Sequence, residues 1–334
     1  MRHVFDCPVC HENDWERGQT YRYTKDEDSA EKPFRSTEYV QLRRQVLFEV
    51  WFPDVDEVTL DSVMCRSCGF MTYSPRPTEL EIDAKYRFLQ GTEGNIGGQK
   101  SDPKLRALDQ QRALRVFRTV CRHTQKEALD VLDFGGGDGK LLRPFFEQGH
   151  TCALIDYNVQ PLEGVRKIGN SLDDVCGGET FDVIICSHVI EHLAEPGQTI
   201  GRLVERLRDG GVLYGEVPLG VWGGIGIKKD PVTHINFFTE HSFCALFENL
   251  RLKAIEHRQM VGVYNRRMDV VMLVARKGGE AEIVSGIKGV AETRRLLHPS
   301  VVMRVRRRWR LREFPTMGGV ARRLHLSGTR VFAA

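Results

Sequence analysis

Leu129-Asp-Val-Leu-Asp133-Phe-Gly135-Gly-Gly137-Asp-Gly139-Lys140 passes from an apolar strand through a glycine-rich bend into a helix. Glycines at such a bend let backbone amides approach a ligand with no Cβ in the way. The dinucleotide fingerprint would need glycine at 135, 137 and 140, but position 140 is lysine, and no GxxxxGK[ST] phosphate loop is present. Asp133 discriminates further: a carboxylate at this strand's end would repel a pyrophosphate and attract the ammonium group of an amino-acid moiety. Asp156 ends the next strand, where a carboxylate can accept hydrogen bonds from both ribose hydroxyls. The pair selects a nucleoside that carries an amino acid.

Around this bend, strand and helix patterns alternate from about 126 to 278, as βαβ architecture requires. The expected strands are Leu129 to Phe134, Thr151 to Ile155, Phe181 to Cys186 and Val212 to Val217, near-continuous apolar runs that suit a parallel sheet covered on both faces. Helices are expected over Lys140 to Gln148, over Pro196 to Arg208 and after Thr239 as N-cap. The strands Leu252 to Arg258 and Arg267 to Ala275 are too close for a crossover helix, so they pair antiparallel and give the sheet a reversed edge strand. Three further units follow from the pattern: a module over 1–80, a helical linker or lid over 81–125 containing the glycine-rich 91–98, and a basic extension over 279–334.

The loop resembles the DxGxGxG signature of class I S-adenosylmethionine-dependent methyltransferases, and the resemblance spans about 126–278. It implies an α/β, Rossmann-like sheet, mostly parallel with an antiparallel last strand. By the same resemblance Asp133, Gly135, Gly137, Gly139, Asp156, Tyr157, Leu172 and Ser187 would hold the donor S-adenosyl-L-methionine. The stretch Cys186-Ser187-His188-Val189-Ile190-Glu191-His192-Leu193 matches the family's "EH" pair after the fourth strand.

Nine cysteines without an apolar secretory run argue against an oxidised disulfide framework and for a cytoplasmic location. Cys7-Pro-Val-Cys10 and Cys65-Arg-Ser-Cys68 each set two thiols on a tight turn, half of a tetrahedral Zn²⁺ site, with His11 as a substitute ligand. We therefore expect a small N-terminal zinc-binding module. Its cysteine pairs, followed by Ser74-Pro75-Arg76-Pro77 and the methyltransferase sheet, resemble the zinc-module methyltransferases of sugar and exopolysaccharide biosynthesis. Those enzymes continue into a second α/β domain that this chain lacks, which sets it apart from their C-methylating members.

Methyl transfer to a hydroxyl needs a positioned acceptor and a base of near-neutral pKa. His188 is the first choice, just past the fourth strand; Glu191 and His192 follow in the same loop. His234, in Thr233-His-Ile-Asn-Phe-Phe-Thr239 after the fifth strand, is a second candidate base, with Glu216 as a partner. The segment from Trp222 to Lys229 reads as a substrate loop.

The net charge of +3 is uneven: residues 281–334 hold twelve Lys/Arg against three acids. Arg304 to Arg312 places six arginines in nine positions around Trp309, a run that suits phosphates of nucleic acid, an anionic membrane surface, a lipid-linked glycan or a solvated helix face. The sequence thus reads as a methyltransferase of a small molecule or glycan precursor, with O-methylation of a sugar hydroxyl first. Its rivals are a sugar C-methyltransferase, an RNA methyltransferase and a non-catalytic zinc-module binding protein. A nucleic-acid partner is not expected, because the segment between Cys10 and Cys65 is rich in acids rather than basic.

Overall fold

The computed structural model describes residues 3, 5–25, 37–93, 103–157, 160–175, 178–222, 230–263, 267–278 and 286–312. The first unit is an antiparallel sheet, in spatial order, of β1 (Trp15–Thr24), β2 (Glu57–Cys65) and β3 (Met71–Ser74). Between β1 and β2, α1 (Thr37–Gln45) runs into a π-helical turn, Val46–Trp51, that buries Val46, Leu47, Phe48 and Trp51. Two helices, α2 (Glu79–Glu93) and α3 (Pro103–Cys121), lead into the larger sheet.

That sheet contains β4 (Asp130–Phe134), β5 (Thr151–Ile155), β6 (Arg166–Gly169), β7 (Phe181–Ser187), β8 (Leu207–Pro218), β9 (Leu252–Val263) and β10 (Arg267–Lys277), in the order β6-β5-β4-β7-β8-β10-β9. Strands β6, β5, β4, β7 and β8 pair in parallel, whereas β10 runs antiparallel to both β8 and β9. This is the expected Rossmann-like sheet, mostly parallel with one antiparallel strand. One detail is corrected: the reversed strand is not the edge. The chain turns outward at β9 before β10 fills the gap beside β8, so β9 takes the edge.

Alternate residues of the central strands serve two cores. On one face Val131, Val183, Ile185 and Val274 pack with Val116 and Val120 of α3 and Phe145 of α4 (Arg143–Glu147). On the other, Leu132, Ile184 and Leu273 pack with Ile200 and Leu203 of α5 (Pro196–Glu205) and Phe243 and Phe247 of α6 (Glu240–Glu248). Burial on both faces explains the unbroken apolar strands. The second core continues into the N-terminal unit through Phe70, Tyr73 and Trp51.

Other expectations shift by a few residues. The helix from Pro196 stops at Glu205 rather than Arg208, because Leu207 joins β8, buried opposite Phe181, and Gly210 at φ 73° bulges the strand before Val212. Strand β6 was not foreseen, since Arg-Lys-Ile-Gly at a half-buried edge shows no apolar alternation. Lys140–Leu142 forms a 3₁₀ turn before α4. The glycine-rich 94–98, most of the Trp222 loop (223–229) and the tail 313–334 lie outside the described residues. Within the basic extension, α7 (Gly286–Leu297) packs against α6, and α8 (Val301–Arg312) packs against β10.

Candidate functional site

The strand order reverses between β4 and β7, and open α/β sheets bind ligands at the carboxyl ends of strands beside such a point. Asp133 ends the apolar part of β4 there. Its side chain is fully buried, and both carboxylate oxygens lack a hydrogen-bond partner. Burial pushes its pKa up to about 7, against the pull of Arg112, with Asp156 and Asp138 adding to the rise. A Cβ on Gly136 would stand 2.1 Å from Asp133 Oδ2, so only glycine lets the bend pass over the carboxylate. At Gly137, with φ 63°, a built Cβ meets nothing within 4 Å, which leaves open space in front of the loop. The Gly137 amide donates to Asp156 Oδ2 at 2.6 Å, tying the loop to the end of β5.

Tyr157, next to Asp156 in the chain, is exposed, and Leu172 is buried. From α2, the Tyr86 ring stacks on that of Tyr157, with centroids 5.7 Å apart. An orphaned buried carboxylate, a bare glycine bend and a second carboxylate on the adjacent strand fit a ligand with a cationic head and a ribose.

Past β7 lies a second, denser cluster. Ser187 Oγ accepts from Arg112 Nη2 at 2.7 Å. Glu216, fully buried in β8, is held by Arg115 Nη1 at 2.6 Å and by Arg112 Nε at 3.6 Å. His188, at φ 60°, sits between two carboxylates, with Nδ1 3.5 Å from Glu191 Oε1 and Nε2 3.4 Å from Glu216 Oε1. Burial opposes its protonation, but Glu191 and Glu216 outweigh burial and raise its pKa. Glu216 is thus the neighbour of His188 and the two arginines, not of His234.

His192 and His234 differ from His188. Their rings meet edge to face with centroids 4.9 Å apart, and burial lowers both, His192 to about 3. Burial works against ionisation of Glu191, yet the surrounding imidazoles hold its carboxyl at about 2. The facing charges and burial thus divide the cluster: Glu191 and Glu216 raise His188, while burial lowers His192 and His234.

The scaffold of this half is a side chain the sequence did not single out. Arg76 is 1% exposed and donates to Thr72 Oγ1, Asn236 Oδ1 and the carbonyls of Ala194 and Ile235. Asn236 Nδ2 in turn donates to the carbonyls of Ile190 and Leu193. One guanidinium thus ties the N-terminal unit to the loops of His192 and His234. Lys85 was also missed: it is buried on α2, donates to the Val232 carbonyl at 3.2 Å, and burial lowers it to about 7. Nothing in a helical pattern marks a lysine for burial.

Cys7, Cys10, Cys65 and Cys68 converge, with all four sulfurs within 4.8 Å of one another and the pairs Cys7–Cys68 and Cys10–Cys65 at 3.7 and 3.5 Å. Tetrahedral thiolate coordination at about 2.3 Å requires sulfurs roughly 3.8 Å apart, so the set fits Zn²⁺. The two turns match in form: the amides of His11 and Gly69 donate to the carbonyls of Cys7 and Cys65, and both residues have positive φ. His11 is exposed and takes the turn position that glycine takes in the other turn, while the four cysteines fill the cluster. No helix of the described residues is long and apolar enough to cross a membrane.

A family model described as "Methyltransferase domain" matches residues 106–257. Among curated proteins, the ubiquinone biosynthesis O-methyltransferase of Actinobacillus pleuropneumoniae serotype 5b is 34% identical over 101 residues, 25% of this chain and 43% of that protein. The enzyme of the same name from Mesorhizobium japonicum is 28% identical over 163 residues, 42% of this chain and 65% of that protein. The chain thus spans less than two thirds of the length of either relative. Among solved structures, Burkholderia thailandensis 1,6-didemethyltoxoflavin-N1-methyltransferase with bound S-adenosylhomocysteine aligns at TM-score 0.45 and 17% identity, covering 63% of this chain and 96% of that one. Synechocystis magnesium protoporphyrin IX methyltransferase aligns at TM-score 0.45 and 17% identity, covering 59% of this chain and 100% of that one.

Proposed function

We propose that this chain, whose residues 106–257 match a methyltransferase domain, transfers a methyl group from S-adenosylmethionine to a hydroxyl of a small molecule, a sugar or glycan precursor first among them. The carrying observation is Asp133, a buried carboxylate with both oxygens unpartnered beneath a glycine bend. An ammonium group is what such a carboxylate lacks. Asp133 would accept from the donor's amino group, Gly135, Gly137 and Gly139 would leave room for its backbone approach, and Asp156 would accept from the ribose. Tyr157 and Leu172 would flank the adenosine, and Ser187 would border the methionine end.

Bound there, S-adenosylmethionine supplies a methyl carbon activated by the adjacent sulfonium. The rest falls to positioning and to one proton. His188 stands between two carboxylates that raise its pKa, which suits it less to the role of base than to that of an electrostatic neighbour for Glu191 and Glu216. The neutral imidazoles of His192 and His234 retain the lone pair that a base needs, and His234 becomes the first candidate. An oxygen acceptor is supported by the O-methyltransferase names of the curated relatives, and a sugar by the cysteine pairs and Ser74-Pro75-Arg76-Pro77 before the sheet. The same reading makes zinc the structural metal of the four cysteines.

The basic extension adds a proposed contact with an anionic membrane surface. It is supported by Val301, Val302, Val305 and Trp309, all exposed on α8 beside exposed Arg304 and Arg306. Incubation of the chain with methyl-labelled donor and a panel of sugar nucleotides, glycan intermediates and phenols, read by mass spectrometry, tests the acceptor. A labelled methyl ether on a sugar supports the full reading; label found only on carbon removes O-methylation.

A further inference from the structure

Glu191, His192 and His234 present a carboxylate oxygen and two imidazole nitrogens, and these three ligand atoms all lie within 4.8 Å of one another. Both Glu191 oxygens are buried and lack a hydrogen-bond partner. The neighbouring nitrogens, His188 Nδ1 and His192 Nε2, stand 3.5 and 3.7 Å from Oε1, too far for a good hydrogen bond. A buried carboxylate in that state costs free energy unless a cation completes it.

His192 is already oriented for that task. Its Nδ1 lies 2.5 Å from the Thr233 carbonyl oxygen and donates to it, which places the lone pair on Nε2, on the side of Glu191. A backbone carbonyl that fixes the tautomer in this way is the usual outer partner of a metal-binding imidazole. His234 comes from a different loop, and Ile235 and Asn236 beside it donate their amides to the Glu191 carbonyl. The backbone therefore holds the third ligand against the first two.

We propose that Glu191, His192 and His234 form a second metal site, separate from the four cysteines, that binds a divalent first-row cation and leaves coordination positions open to the acceptor's oxygen. Two imidazoles and one carboxylate select Zn²⁺, Mn²⁺ or Fe²⁺ over Mg²⁺ and Ca²⁺, which take oxygen-rich shells. The inference rests on the reading of this edge as the acceptor side, and it moves the activation step from an imidazole to the ion. A hydroxyl bound to such an ion gives up its proton to water more readily than a free one. Its oxygen then bonds the methyl carbon as the carbon–sulfur bond breaks, leaving the donor as a neutral thioether and one proton in solution.

The test is a Mn²⁺ titration of the full chain followed by electron paramagnetic resonance, with zinc content, melting temperature and S-adenosylhomocysteine calorimetry on the same preparations. One bound Mn²⁺ per chain is expected, weakened about tenfold or more in His192→Ala and His234→Ala. The one zinc per chain held by the four cysteines and the S-adenosylhomocysteine affinity should not move. His234→Gln serves if an alanine variant fails to fold. Absence of Mn²⁺ binding in the wild type, or equal affinity in the variants, overturns the second site. S-adenosylhomocysteine binding without Mn²⁺ removes this inference alone, whereas loss of both removes the donor reading as well.

Discussion

Arg76 Nη2 donates to Asn236 Oδ1 at 2.7 Å, joining residues 160 positions apart and fixing the loops of His192 and His234 to the N-terminal unit. Arg76→Lys keeps the charge but loses the planar fork that reaches several acceptors at once. With buried carbonyls left unsatisfied, we expect a loss of about 3 kcal/mol or more in unfolding free energy, and weaker acceptor binding before weaker donor binding. Denaturant unfolding at wild-type stability would contradict this role.

Metal in the four cysteines should stabilise more than the first 80 residues. The Thr293 hydroxyl donates to the Gly69 carbonyl at 2.7 Å, and a Cβ on Gly289 would stand 2.2 Å from the Cys68 carbonyl oxygen, so α7 lies directly on the Cys65–Cys68 turn. Chelation is expected to lower the melting temperature and to release amide exchange in Lys288–Leu297 together with 65–70. Gly289→Ala should lift α7 and produce the exchange change with metal still present. Unaltered melting under strong chelation would count against a structural metal.

The two kinds of histidine predict different variants. His234→Ala should cut turnover by about a hundredfold or more while leaving S-adenosylhomocysteine affinity within about twofold. His188→Ala should spare the donor too, but it also strips a partner from buried Glu191 and Glu216, at a cost of about 3 kcal/mol in stability. Wild-type melting of His188→Ala would show that the ion contacts carry nothing.

On α8, Arg304→Glu with Arg306→Glu should abolish sedimentation of the chain with vesicles rich in anionic lipid, and neutral vesicles should not retain the wild type. Arg307 is left intact because it pairs with buried Asp269 and covers the Trp222 ring at 4.9 Å. Equal sedimentation with neutral and anionic vesicles would rule out the proposed contact.

What could be read in advance was local chemistry. A glycine bend after an apolar strand, an acid at each of two strand ends and cysteines with two residues between them have few physical meanings; the structure ties Gly137 to Asp156 and gathers the four cysteines. What could not be read was tertiary. Arg76, Lys85 and Arg112, buried, and Arg115, half-buried, are polar residues in segments whose pattern says "surface", and they leave the solvent only because distant loops bring carbonyls and Glu216 to them. The character of His188 was equally hidden, since its two carboxylate neighbours are Glu191, three residues on, and Glu216, on the adjacent strand. The order of β9 and β10 escaped because a hairpin fixes pairing but not which arm meets β8.

Donor recognition by Asp133 carries the whole account, and calorimetry with S-adenosylhomocysteine at pH 6 and pH 8 tests it most directly. Burial raises Asp133 to about 7, with Arg112 opposing and Asp156 and Asp138 adding, and Cys152 and Cys186 standing near on β5 and β7. The ammonium group needs the ionised carboxylate. Affinity should therefore fall about tenfold at pH 6, with proton release on binding, and Asp133→Asn should bind weakly with little pH dependence. Tight binding that ignores both pH and Asp133→Asn, or no binding at either pH, would contradict the account.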